Sequence, residues 1–286
     1  MKLSLSWIRD YVNIPEDADL KKLAYDLTMS TVEVEDVEYL AERFENMIVG
    51  VIEKIEPHPN ADRLRVCKVN IGSDEIKEIV CGGINLEEGM RVAVSCPGAV
   101  VRWHGEGEPV VIKNSKLRGV ESFGMICASD EIGLGELFPS ETEGEILDLS
   151  AFDVPAGTSL ADALDMNDVL LEIDNKSMTN RPDLWGHYGI AREIAALYNL
   201  PLAKIEPFRA DVQSDFKVEI EDPDRCTRYI GVEMSGVAVK PAPYKMQNRI
   251  WKVGMRPINA LVDITNYVML ATGNPTHAFD ADNITD

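Results

Sequence analysis

Apolar residues at Leu20, Leu23, Ala24 and Leu27 fall at i, i+3, i+4 and i+7, the stripe of a helix that buries one side. At 31–39, TVEVEDVEY, apolar and acidic residues alternate as in a strand with one covered face. From Met47 the pattern shortens to apolar runs bounded by Gly, Pro, Asn or Asp: MIVGVIEKI, LRVCKVNI, IKEIVCG, MRVAVSC, PVVIKN and GMICAS. Strands at that spacing predict a small all-β barrel or sandwich that ends near Leu149. Helical periodicity then returns. TSLADALDM, 158–166, predicts a short helix capped by Thr158 or Ser159, DVLLEID a strand, and NKSMTNRPDLW a loop. Asp183 is placed to cap a helix over 184–198 that buries Ile190, Ala191, Ile194 and Leu197. IEPFRA, 205–210, reads as a linker. Beyond it, KVEIED at 217–222 and YIGVEMSGVAV at 229–239 predict strands. One helix is expected from Tyr244 to Val253, stopping at Gly254, and another from Pro257 to Ala271, before Gly273.

Composition narrows the class. A chain of 286 residues suits two or three domains, and 45% hydrophobic residues can build their cores. No apolar run reaches the length of a membrane span, and MKLSLSWIRDYV lacks the apolar stretch of a signal peptide. The expectation is a cytoplasmic protein with no membrane partner. Cys67, Cys81, Cys96, Cys127 and Cys226 are odd in number and contain no C-x-x-C pair, which argues for reduced thiols rather than zinc or a disulfide framework. The formal charge of −21 gives a long-range field that repels phosphate, so any grip on nucleic acid must be local or shared with another chain.

Two basic clusters interrupt that field: Arg63, Arg65 and Lys68, and then Lys113, Lys116 and Arg118. The first follows His58-Pro59-Asn60-Ala61-Asp62, a tight-turn sequence in which Pro fixes φ and Asn or Asp closes side-chain turns. The clusters are either phosphate contacts on one face of a barrel or solvated charges balancing nearby acids. Residues 42–153 hold 11 Lys or Arg against 21 Asp or Glu, a net of −10, which counts against strong autonomous RNA binding. Trp103 and Phe123 are the aromatic candidates for base stacking, and His104 has no second ligand at metal spacing.

EPHPNADRLRVCKVNIG, IVCGGINLEEGMRVAV and IKNSKLRGVESFGMICASDEIGL together resemble the tRNA-binding OB domain of several synthetases and free-standing tRNA-binding proteins. MKLSLSWIRDYV and TMSTVEVEDVE before that block, and DVLLEIDNKSMTNRPDLWGHYGIAREIAALYN after it, are similar to the bacterial phenylalanyl-tRNA synthetase beta subunit. The resemblance implies an α+β multidomain fold: an OB-fold β-barrel (42–150) inserted into a small α+β domain (1–41 plus 151–204), then the start of an α/β editing domain (205–286). The chain stops at Asp286 with no closing strand, so that third region is expected to be truncated, and the chain to be an inactive N-terminal fragment when alone. Arg181, Asp183 and Arg192 sit in the family-like loop and helix, with loop bracing and subunit packing as their expected work.

In MRPINALVDITNYVMLATGNPTHAFD, the resemblance puts Thr265, Asn266 and His277 on positions lining the pocket that removes tyrosine wrongly attached to the phenylalanine tRNA. Ester hydrolysis needs an oriented water and a polarised carbonyl, which Asn, Thr and His groups can supply. Without the resemblance, His277 reads as a capping or core histidine and Asn266 as an ordinary polar position. In the family the alpha subunit uses ATP and Mg2+ to attach phenylalanine, in an assembly of two alpha and two beta chains that binds tRNA(Phe). The family's magnesium ligands lie in another domain, no Gly-x-x-x-x-Gly-Lys loop occurs here, and no metal or cofactor site is assigned to this chain. The competing readings are a non-catalytic tRNA-binding OB module acting in trans, which should end near residue 150, and an acidic interaction scaffold.

Overall fold

The computed structural model describes residues 1–207 and 217–284. In chain order its elements begin with β1 (Lys2–Ser4), α1 (Leu5–Ile8), α2 (Leu20–Ser30) and β2 (Val34–Tyr39). The barrel follows: β3 (Met47–Pro57), β4 (Arg65–Asn70), β5 (Lys77–Cys81), β6 (Arg91–Ser95), β7 (Val100–Val101), β8 (Val110–Val111), β9 (Ser115–Leu117), β10 (Val120–Ser122) and β11 (Met125–Ile126). After it come α3 (Leu160–Ala163), β12 (Val169–Ile173), α4 (His187–Tyr198), α5 (Tyr244–Lys252) and α6 (Ala260–Thr272). The fold is α+β and multidomain.

A three-stranded antiparallel sheet has the order β1-β12-β2, so its central strand follows the barrel in sequence and both edge strands precede it. Leu171 pairs with Leu3 on one side and Val37 on the other, and the register places apolar residues on one face. Leu23 and Leu27 of α2 and Ile190, Ala191 and Ile194 of α4 close over that face with Ile8, Val12 and Ile173. The chain can leave this core and return to it because β2 and β12 run side by side in opposite directions, ending next to the barrel.

The barrel sheet has the order β11-β6-β3-β4-β5. It is nearly closed, since the β10–β11 segment crosses β5: Phe123 N donates to Glu78 O at 2.9 Å and Val80 N to Ser122 Oγ at 3.0 Å. Ile52, Cys67, Val69, Ile79, Val92 and Val94 fill the interior. The returning chain is laced along the barrel by Val49 N to Thr158 O at 2.8 Å. There Gly72 and Gly157, both at positive φ, pass so closely that a Cβ on Gly72 would lie 2.4 Å from Ala156 O. A second core runs from the barrel's outer side to Leu160, Leu164, Leu170 and Trp251, joining barrel, β12 and α5.

Several local expectations fail for physical reasons. Residues 217–222 and 229–239 form no strand, and Ile230, Val232, Met234 and Val239 are exposed. Their alternation is real, but no neighbouring strand among the described residues offers the backbone partners a strand requires. Residues 205–207 are irregular as a linker should be, while 208–210 of IEPFRA lie outside the described residues. Asp183 caps nothing. Its carboxylate takes a bidentate pair from Arg181 (3.0 and 2.8 Å) and another contact from Arg192, while Arg181 also reaches Glu193 at 2.7 Å. A 3-10 turn therefore occupies 182–185, and α4 starts at His187 after an uncapped Gly186. Leu197 faces outward. Pro257 precedes α6 rather than starting it, because Asn259 provides the cap, its Oδ1 accepting from Leu261 N and Val262 N.

Asp168, at the mouth of β12, ties these parts together. Its carboxylate accepts from Ser4 Oγ (2.6 Å), Ser6 Oγ (2.7 Å), Ser6 N (2.9 Å) and Val169 N (2.8 Å). Lys252 Nζ of α5 lies 3.3 Å away, with the two side chains 2% and 1% exposed. Burial disfavours the charged carboxylate, but Lys252 and the serine donors outweigh it and hold Asp168 below the usual carboxylate range. Replacing one member tests this asymmetry by urea denaturation. Asp168→Ala leaves the buried Lys252 ammonium only the exposed Asp165 carboxylate, 3.9 Å away, and should cost about 3–5 kcal/mol. Lys252→Met leaves the carboxylate its four hydrogen-bond donors and should cost clearly less; equal losses would contradict the arrangement.

Candidate functional site

The two sets of residues singled out by the sequence lie on different parts of the molecule. Thr265 and Asn266 occupy the middle of α6. Thr265 Oγ1 donates to Val262 O at 2.7 Å, a back-bond to its own helix that leaves the hydroxyl's lone pairs outward-facing acceptors. The Asn266 amide makes no hydrogen bond among the described residues, so its donors and acceptor are all uncommitted. After α6 ends at Gly273, in the left-handed conformation, the chain doubles back, and Thr276 Oγ1 donates to Thr265 O at 3.4 Å. That contact returns Thr276 to the Thr265 turn, and His277 follows it in the chain. The His277 ring is exposed and 6.2 Å from the Phe279 ring. Thr265 and Asn266 thus form an open polar shelf on α6, and among the described residues no hydrogen bond or ring contact joins His277 to either of them.

What holds α6 is a buried aromatic stack that the sequence pattern did not disclose. Trp7 lies between His187, with ring centroids 4.1 Å apart, and Tyr267, at 4.4 Å. The Arg249 guanidinium sits 5.4 Å from the Trp7 ring, donates to Tyr267 Oη at 2.8 Å and pairs with Asp10 at 2.6 Å. Ser4 N donates to His187 Nε2 at 3.0 Å, so His187 carries its proton on Nδ1 and donates it to Leu270 O at 2.7 Å. The far end of α6 abuts the 182–186 loop, where a Cβ on Gly186 would lie 2.3 Å from Gly273 N. Arg249, Ile250, Trp251 and Lys252 follow one another on a short helix and all four are buried, which the fold shows and the residue spacing does not.

On the barrel, the structure joins the two basic clusters. His58 is buried, accepts from Asn60 N at 3.1 Å through Nδ1, and contacts Leu117 O at 3.1 Å through Nε2, which therefore donates. Asn60 Nδ2 donates to Arg118 O at 2.9 Å. The 58–62 turn is thus pinned to the β9–β10 hairpin, whose Arg118 and Gly119 take positive φ. Arg65 is spent on Asp62 O and Leu64 O, both at 3.0 Å, and Lys68 lies 3.8 Å from Glu56. Arg63, Lys113, Lys116 and Arg118 have no ion pair among the described residues. Trp103 is 51% exposed, whereas Phe123 packs on the barrel core under Lys77, 5.2 Å from its ring. His104 is exposed at positive φ.

Cys67 and Cys127 are free thiols pushed by burial up to about 12, and Cys81 to about 11, which makes them poor nucleophiles and poor ligands. Among the described residues no group of three His, Cys, Asp or Glu side chains fits a metal ion, and no helix is long and apolar enough to cross a membrane.

Residues 47–158 match the family described as a putative tRNA binding domain, and residues 225–286 match the B3/4 domain. The phenylalanine–tRNA ligase beta subunit of Fusobacterium nucleatum subsp. nucleatum is 40% identical over 99% of this chain and 34% of its own length. That of Oceanobacillus iheyensis is likewise 40% identical over the same shares, and that of Pectobacterium atrosepticum 41%. The chain spans about a third of the length of these relatives.

Burial, opposed by the Leu270 contact and assisted by Arg249, holds His187 down to about 4, below its ordinary 6.5. Because the folded value is the lower one, the associated stability is present above pH 6.5 and lost as pH falls towards 4. The full shift is on the order of 3 kcal/mol. Denaturation midpoints between pH 7 and 4 should fall in the native chain, and that fall should flatten in His187→Asn. An unchanged pH slope would show that His187 is not held neutral.

Proposed function

The chain belongs to the phenylalanine–tRNA ligase beta-subunit family, and from that premise we propose that it serves a phenylalanine–tRNA ligase by presenting tRNA to a hydrolytic shelf on α6. The similarity runs over 99% of the chain rather than the barrel alone, which favours a subunit over a free tRNA-binding module acting in trans. Attachment of phenylalanine with ATP and Mg2+ is assigned to an alpha partner, in a cytoplasmic assembly of two alpha and two beta chains.

The observation that carries the hydrolytic reading is the return of the chain against α6 through Thr276 and Thr265. On this reading, that return brings the His277 imidazole within reach of the Thr265 hydroxyl and the Asn266 amide. In the proposed reaction on tyrosine esterified to tRNA(Phe), the Asn266 amide and Thr265 hydroxyl orient a water. His277 accepts the proton that the water loses as it attacks the ester carbon. The ester bond then breaks, the leaving ribose oxygen takes the proton back from His277, and tyrosine and the tRNA 2′/3′ hydroxyl are released. In the assembled synthetase, Asn266→Ala and His277→Ala should each lower Tyr-tRNA hydrolysis about 10²-fold, the usual worth of one positioned group. Unchanged hydrolysis in both would sink this reading.

For the barrel we assign tRNA contact to Arg63, Lys113, Lys116 and Arg118, basic side chains with no ion pair among the described residues; Arg65 and Lys68 contribute less because they are already engaged. Against a net charge of −21 these contacts should add to affinity without dominating it. Lys116→Ala with Arg118→Ala should weaken tRNA binding and reduce the slope of log K against log salt by roughly 1 per lost phosphate contact. An identical slope would return these residues to the role of solvated charges.

A further inference from the structure

We infer that His187 is a positioning residue for the α6 shelf, with Trp7 and Arg249 completing the cradle in which it acts; the inference rests on the hydrolytic reading above. The last carbonyls of a helix have no intrahelical donor and must find partners elsewhere. On α6, Met269 O takes Gly273 N at 2.8 Å and Thr272 O takes Asn274 Nδ2 at 3.3 Å, both from the chain's own continuation. Leu270 O instead takes His187 Nδ1 at 2.7 Å, a donor 83 residues away. That bond reaches from the first domain into the helix backbone.

Its position matters for Asn266. Leu270 lies one turn along from Asn266 on nearly the same side of the helix, and Tyr267 is the next residue after Asn266. Fixing Leu270 O by His187, and the Tyr267 ring by Trp7 and Arg249, therefore sets both the rotation and the axial position of the turn that carries the shelf. Among the described residues the Asn266 side chain has no hydrogen bond of its own to do this. A slip of one residue would rotate its amide by about 100°. Misplacement by as little as 1 Å can cost about 10²-fold in rate.

The imidazole is suited to this task because it faces two opposite demands at once. Nε2 must accept from Ser4 N at the end of β1, and Nδ1 must donate to Leu270 O. Its flat face meanwhile stacks on Trp7 at an interplanar angle of 23°. Trp7 from α1 stacks on the ring, while the charges of Arg249 from α5, Asp168 at β12 and Asp10 just beyond α1 act on it electrostatically, so the ring ties β1 and α1 to α6.

The test uses the assembled synthetase carrying His187→Asn, His187→Gln or Asn266→Ala. It reads kcat and KM for Tyr-tRNA hydrolysis together with the rate of phenylalanine attachment. An Asn amide keeps a donor near the Nδ1 position, whereas Gln places its polar end near Nε2. His187→Gln should lower kcat for hydrolysis about 10–10²-fold with KM and attachment unchanged, and His187→Asn should recover most of that loss. Equal loss of hydrolysis and attachment in both variants, tracking the fraction of folded protein, would overturn the positioning role. So would wild-type hydrolysis in both His187 variants while Asn266→Ala is impaired. Wild-type hydrolysis in Asn266→Ala as well would overturn the hydrolytic reading and this inference with it.

Discussion

A carboxylate taken out of water costs several kcal/mol unless charge and hydrogen-bond donors replace its hydration. Asp168 meets that demand with donors drawn from three parts of the chain: Ser4 and Ser6 at the N-terminus, its own strand at Val169, and Lys252 on α5. Lys252 has the converse need, being almost wholly buried. Neither ion is tolerable where it lies unless β1, β12 and α5 meet. The pair therefore enforces the meeting of the first sheet, the barrel's return point and the α5–α6 region. Around it, the Trp7 stack and the His187 bridge extend the same junction to α6.

That junction explains how much of the molecule could be read from the sequence. The barrel strands were legible because each alternates or runs apolar between turn residues, as at Arg65–Asn70 and Arg91–Ser95. Helix α2 was legible from Leu23, Ala24 and Leu27. Local signals misled where a longer-range partner took the residue. Asp183 has the chemistry of a cap, yet two arginines claim its carboxylate. Strand-like alternation at 229–239 finds no sheet to join among the described residues. Pro257 suits a first helical position, but the Asn259 side chain sets the start two residues on.

The candidate sites were legible to different depths. Both basic clusters appeared in the sequence, but their union did not, because it depends on His58 and Asn60 bonding to the backbone of a hairpin nearly 60 residues away. Thr265 and Asn266 were singled out by resemblance, while the residues that hold their helix were not. Trp7 and His187 lie in stretches that carry the resemblance, but nothing in those stretches assigns them this role, and Arg249 lies in none of them. Only their burial and mutual geometry mark them, and these are properties of the fold rather than of spacing.

The division of labour that emerges is an acidic body with a small basic face on the barrel and a separate polar shelf on α6, fastened to one another through the Asp168–Lys252 junction. If that fastening is as tight as the buried groups require, α6 cannot open independently of the first sheet. Native-state hydrogen exchange tests this directly. The amides of Tyr267 and Leu270 in α6 and of Leu170 and Leu171 in β12 should share one opening free energy and one denaturant dependence. Exchange of the α6 amides through a separate, smaller opening, with β12 still protected, would contradict it.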